Sequence, residues 1–191
     1  NYELGDSAGT AKALDQLLKY YPSTDTWVRV LDGYLKTTKH DHALMALYRL
    51  AEDVGALQNA RQYTDMTQAL IIAGFGQEAE RVMQKGIDAS LFAGDEATRA
   101  KRTIDAAKRK ADAERAALPK AASALAAART GDEMEKVGEL YFSAGDYVNA
   151  SAALQKAIAK GGLSDADSAQ MLLGIALKRK GDKANATKAF D

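Results

Sequence analysis

His40 and His42 are the residues whose type best suits metal or acid–base chemistry, and they stand one residue apart around Asp41. On a helix that separation turns their side chains about 200° from each other, so the two cannot grip one ion. No further ligand cluster accompanies them, and they read as polar residues at a turn entering a helix. Gly74-Phe75-Gly76 resembles neither phosphate loop, since it lacks the GKS or GKT ending and follows a helical pattern rather than a strand. It reads as a helix-joining turn. No Gly-x-Ser-x-Gly elbow occurs, and no strand pattern would support one. Most Asp and Glu residues fall on expected outer helix faces, without a pocket to pair them for proton transfer. The expectation is therefore no catalytic residue, no cofactor, no metal and no enzyme.

The basic residues Arg99, Lys101, Arg102, Lys108, Arg109, Lys110 and Arg115 lie on one long predicted helix. Asp95, Glu96, Asp105, Asp112 and Glu114 are interspersed, and no aromatics alternate with them as a base-stacking surface needs. They read as a solvated face rather than a nucleic-acid site.

The elements that must position any site are helices. The 191 residues carry 47% hydrophobic but only 7% aromatic residues, two prolines and 27% charged residues, which suits an Ala- and Leu-filled helical core. Lys plus Arg balances Asp plus Glu at 26 each, so no global field attracts nucleic acid or anionic lipid. With no cysteine, disulfides and thiolate metal sites are excluded. The longest apolar run, around Ala69 to Ala73, is too short to span a membrane. The chain lacks an initiator Met and a signal segment and stops at Phe190-Asp191 within a helical pattern, which reads as a piece or processed form of a longer protein.

One stretch supplies the ruler. GELYFSAGDYVNASAALQKA places Gly138, Tyr141, Gly145, Tyr147, Ala150, Leu154 and Ala157 at offsets 0, 3, 7, 9, 12, 16 and 19. Small residues then sit where two helices touch, and large ones fill the gaps. The turn position recurs at Gly5, Thr38, Gly74, Gly145 and Gly181, with spacings of 33, 36, 71 and 36. The spacing of 71 demands a hidden unit. The expected units are 1–22 (partial), 24–56, 59–90, 95–130, 131–162 and 164–191 (partial), forming one domain over 1–191.

In chain order, Leu14 and Leu17 mark a helix to about Tyr20, stopped by Pro22. Thr24 or Asp25 caps the next, with Trp27, Leu31 and Tyr34 on one face and Ala43, Leu47 and Leu50 on its partner. Thr38 at a glycine position predicts a different turn there. Tyr63, Met66 and Leu70 precede the Gly74 turn, then Ala79, Met83 and Ile87, with Gly86 expected at a close helix approach. From Asp95, expected as a cap, a helix runs to Leu118 with Ala97, Ala100, Ile104, Ala107, Ala111 and Leu118 as its apolar seam. Pro119 opens a short helix through Ala121, Leu125 and Ala128. Asp132 with Glu135, and Ser164 with Asp167, read as capping pairs.

GELYFSAGDYVNASAALQKAIAKGG and LLGIALKRKGDKANATKAF resemble tetratricopeptide repeats, in degenerate form over nearly the whole chain. The resemblance implies an all-α, right-handed α-solenoid of antiparallel helix pairs with about 11 helices. The YYP-x4-W start, the long Ala/Lys helix before Pro119 and the IAKGGLSDAD connection are similar to the C-terminal part of uncharacterised, exported proteobacterial proteins of that kind. A periplasmic or envelope location is what this implies.

In such repeats the first helix of each pair lines a concave groove. Carried over at the family's offsets, the groove positions are Val28, Asp32, Leu35 and Lys36, then Thr64, Gln68, Ile71 and Ile72. Glu135, Glu139, Phe142 and Ser143 follow, then Met171, Ile175, Lys178 and Arg179. The Lys and Asn pairs that hold acidic chaperone tails in some relatives are missing here. The implied function is a non-enzymatic interaction scaffold taking a peptide or partner helix, of protein rather than nucleic-acid nature. Alternatives are self-association through the terminal repeats of a larger envelope protein, and a substrate-recruiting arm of an enzyme whose catalytic domain lies elsewhere.

Overall fold

The computed structural model describes residue 13 and residues 16–190. Among these, all regular structure is helical, with no strand. By spatial clustering the chain divides between Gln58 and Asn59 into two compact units. The first holds helical residues 16–20, α1 (Thr24–Thr37) and α2 (Asp41–Asp53). The second holds α3 (Ala60–Ala73), α4 (Gly76–Asp88), α5 (Gly94–Ala117), a 3-10 turn at Leu118–Lys120, α6 (Ala121–Ala127), α7 (Gly131–Ser143), α8 (Tyr147–Lys160), α9 (Ala166–Arg179) and α10 (Lys183–Phe190). Ten helices with both ends described stand against about eleven expected. The difference falls at residues 16–20, whose helix start, with Leu14 and the expected Gly5 turn, lies outside the described residues.

Helices pack on their sequence neighbours within each unit, and three hairpins share one turn. At Gly74, Gly145 and Gly181 the backbone enters the left-handed region, with φ of 91°, 78° and 92°. The next N–H then reaches back five residues, Phe75 to Leu70 O, Asp146 to Tyr141 O and Asp182 to Leu177 O, each at 2.9 Å. This closure satisfies helix-end carbonyls and requires φ that only glycine adopts without strain. Thr38 instead leaves α1 extended, at φ −74° and ψ 126°. After two of the glycines the same cap follows. Asp146 accepts the N–H of Asn149, and Asp182 that of Asn185, and each carboxylate also takes the asparagine amide. Side-chain capping of this kind supplies one of the acceptors that a helix start lacks.

Four expected caps shift. Ser23 caps α1 in place of Thr24 or Asp25, its Oγ accepting the Thr26 N–H. Thr130 and Glu133 form the capping box of α7 in place of Asp132 and Glu135. Asp165 caps α9 in place of Ser164 and Asp167. Ala93 precedes α5 without a side-chain cap, and Asp95 sits inside the first turn, where its charge faces the positive helix end. The reason is visible at Asp132. Its carboxylate is taken by the N–H and O–H of Ser164, 2.7 and 2.6 Å away, a bond that only the fold can make.

Small residues mark close helix approaches. A Cβ on Gly138 would lie 2.8 Å from the Leu154 side chain, and one on Gly174 2.5 Å from Phe190. A Cβ on Gly86 would lie 2.9 Å from Tyr63 and 3.0 Å from Phe92, which agrees with the close approach expected there. The α5 seam holds at Ala100, Ile104, Ala107 and Ala111, with Met83, Ala100 and Ile104 forming a cluster under Ile87 and Phe92. Ala97, however, is exposed, and Glu114 is buried in the last turns of the seam.

Candidate functional site

Neither histidine has a site around it. His40 precedes α2 without capping it, both rings are exposed, and no three His, Asp or Glu side chains gather as a metal site among the described residues. No described helix is long and apolar enough to cross a membrane. The basic residues of α5 are all exposed.

The positions carried over for a groove separate into open and buried sets. On α1, Val28, Asp32 and Leu35 are half-buried and Lys36 is exposed, its Nζ 2.6 Å from the Asp32 carboxylate. On α3, Thr64 and Ile71 are half-buried, Gln68 is exposed, and Ile72 is 86% exposed. On α7, Glu139 is half-buried while Glu135, Phe142 and Ser143 are buried. On α9, Met171 and Arg179 are half-buried, Ile175 is buried and Lys178 is exposed.

Two of these positions meet across neighbouring hairpins. The Arg179 guanidinium lies 5.1 Å from the Phe142 ring centre and 5.5 Å from that of Tyr147, and donates to the Tyr147 hydroxyl at 3.2 Å. The two rings meet edge to face at 5.3 Å. Each such cation–ring contact contributes on the order of 0.5–1 kcal/mol, so Arg179 ties α9 to the preceding hairpin. Ser143 serves the fold instead. Its Oγ accepts the Glu78 N–H at 3.1 Å, and its carbonyl accepts from Arg81.

Those bonds expose an arrangement around the start of α4. Phe75 provides no side-chain cap, and Gly76 abuts the backbone of Lys110 and Ala111 so closely that no Cβ would fit. The orphan N–H groups of the first turn are met from elsewhere in the unit. Glu114 of α5 accepts the Gln77 N–H at 2.7 Å, and Ser143 of α7 accepts that of Glu78. A helix end enclosed by neighbours needs such acceptors, and a carboxylate there also meets the positive end of the helix dipole. The signal for Glu114 lay in the sequence. It stands three residues beyond Ala111 and seven beyond Ala107, a carboxylate on an apolar row.

Outward from that start, α4 lines a cleft of about 600 Å³ with Gln77, Glu80, Arg81, Gln84, Lys85 and Asp88, closed by Arg115 and Ala144. Arg115 donates to Glu80 at 3.1 Å and to Asp112 at 2.9 Å, and the Gln84 amide donates to Asp88 at 2.7 Å. The cleft is polar and open, suited to holding charged groups and without a nucleophile or paired base. Compared with known proteins, the chain matches no family model and no curated protein.

Proposed function

We propose that the chain is a non-enzymatic interaction scaffold, a tetratricopeptide-like α-solenoid whose first helices offer a surface to a peptide or partner helix. The observation that carries this reading is the identical closure at Gly74, Gly145 and Gly181, at spacings of 71 and 36 residues. A turn repeated three times, twice with a capping aspartate after it, makes similar hairpins, and stacked hairpins of similar geometry build extended surfaces. The open positions that such a surface would use are Gln68, Ile72 and Lys178, with half-buried Ile71, Glu139, Met171 and Arg179 beside them. Glu135, Phe142, Ser143 and Ile175 support the surface from beneath, since their side chains are already covered.

Ile72, 86% exposed, is the apolar anchor of this reading. Pull-down from native cells with the chain, and with Gln68→Lys and Ile72→Asp, tests it. A partner lost with either variant and retained with Lys160→Glu is the expected result. Capture that ignores both substitutions on α3 would sink the groove. A second reading, self-association, is favoured by Phe190, which remains 49% exposed although it packs over Gly174. Light scattering that finds a monomer at high concentration would count against it.

A further inference from the structure

We infer that the outer face of α5 binds double-stranded DNA, the helix lying in the major groove with a row of cations toward each phosphate wall. The helix is buried along one narrow row only, Ala100, Ile104, Ala107, Ala111 and Glu114. Between residues 99 and 110 the rest of its circumference is exposed, apart from half-buried Thr103 and Ala106.

At about 100° per residue, the six cations of that stretch fall into three rows. Arg102 and Arg109 lie opposite the buried row, Lys101 and Lys108 about 90° to one side of it, and Arg99 and Lys110 about 90° to the other. In the sequence five carboxylates are interspersed with the basic residues of α5, and the fold removes most of that balance. Glu114 is buried on the Gln77 N–H, Asp112 is taken by Arg115, and Asp95 and Glu96 stand in the first turn, before the basic run. Only Asp105 remains among the six cations, and among the described residues none of the six has an ion-pair partner. The stretch thus sets six positive charges against one negative over about 16 Å.

This distribution selects among anionic partners. No apolar side chain larger than alanine faces outward between residues 99 and 110, so α5 offers neither a seam to a partner helix nor an anchor to a lipid bilayer. A flat surface meets the Arg102 row head on and leaves the flanking rows pointing sideways. A concave partner with two charged walls engages all three rows. The major groove of B-form DNA is about 12 Å wide and admits a helix about 10–12 Å across between two phosphate rows. The flanking rows then meet the two backbones, while Arg102 and Arg109 face the groove floor, where guanine edges present acceptors. Asp105 stands beside them, over the floor, where the base amines donate. A paired duplex does not need the stacking aromatics that a single strand needs. The surface shares no residue with the positions proposed for a protein partner and does not depend on their role.

The test is fluorescence anisotropy of the whole chain with a labelled twenty-base-pair DNA duplex and an RNA duplex of the same sequence. DNA should bind, and its affinity should fall with salt at a slope of about −4 on logarithmic axes, as four phosphate contacts give. The RNA duplex should bind at least tenfold more weakly, because its major groove is deep and narrow. Lys101→Glu with Lys108→Glu, and Arg99→Glu with Lys110→Glu, should each weaken DNA binding at least tenfold. Lys156→Glu with Lys160→Glu, a matched reversal of two exposed charges on α8, should change it less than threefold. All these side chains are exposed, so the variants should melt as the parent chain does. Absence of DNA binding at low salt overturns the proposal, as does an equal loss with the α8 pair. Equal affinity for the two duplexes overturns docking in the major groove. Co-sedimentation with vesicles of phosphatidylglycerol and phosphatidylcholine in equal parts is the remaining arm. Tighter binding to these vesicles than to DNA, lost with the α5 pairs, overturns the proposal in favour of a lipid surface.

Discussion

Glu114 acts at a distance of 37 residues along the chain, and its removal should be felt at the start of α4 rather than on its own helix. Glu114→Ala leaves the Gln77 N–H without its acceptor, a loss of about 1–3 kcal/mol. Glu114→Gln keeps a carbonyl oxygen in place and should cost clearly less. Urea unfolding of the pair decides it, and equal midpoints for both variants would refute the capping role. Ser90 is the opposite case. It ends α4 at φ 57°, the one non-glycine residue with positive φ among those described. Its N–H bonds Ile87 O and the next reaches Gly86 O, the same closure that glycines make elsewhere. Ser90→Gly removes the Cβ strain and should raise stability by roughly 0.5 kcal/mol, seen as a higher urea midpoint with unchanged slope.

Two helix starts are held by exposed carboxylates, and acid should loosen them. Glu133 accepts the N–H groups of Arg129 and Thr130, which hold its carboxyl below the ordinary glutamate value. Asp182 is lowered in the same way by the Asn185 side-chain amide and then by the Asn185 N–H. A carboxyl lowered in the folded state contributes stability above its unfolded pKa, and that contribution is lost as the pH falls through the folded value. Amide hydrogen exchange at the starts of α7 and α10 should therefore accelerate, relative to the middle of each helix, below about pH 4. Unchanged relative protection there would refute the assignment. These caps also mark how far local pattern could be read. That α7 and α9 begin near residues 130 and 165 followed from clusters of short polar residues. Which member caps each helix did not, because Ser164 claims Asp132 from across the unit.

The two units carry separate expectations. Residues 59–191 contain complete hairpins with their own core, so this segment alone should give a helical spectrum and a cooperative melt. A spectrum of unfolded chain would contradict the division at Gln58. Much of this architecture was legible in the order of residues alone. Helix period, the turns at Gly74, Gly145 and Gly181, the different turn at Thr38 and the close approach at Gly86 all depend on interactions within a few residues or on small side chains spaced for contact. Burial was less legible. Glu114 stands on the apolar row of α5, but nothing local names the helix start that it meets, while Ser143 and Phe142 look like groove residues by spacing and are covered. The cleft beside α4 belongs to the same class, since Arg81 and Arg115 come together only when α5 and α7 flank one helix. Local chemistry sets where the chain turns; desolvation and charge pairing depend on what packs against each face, and that is decided when the helices meet.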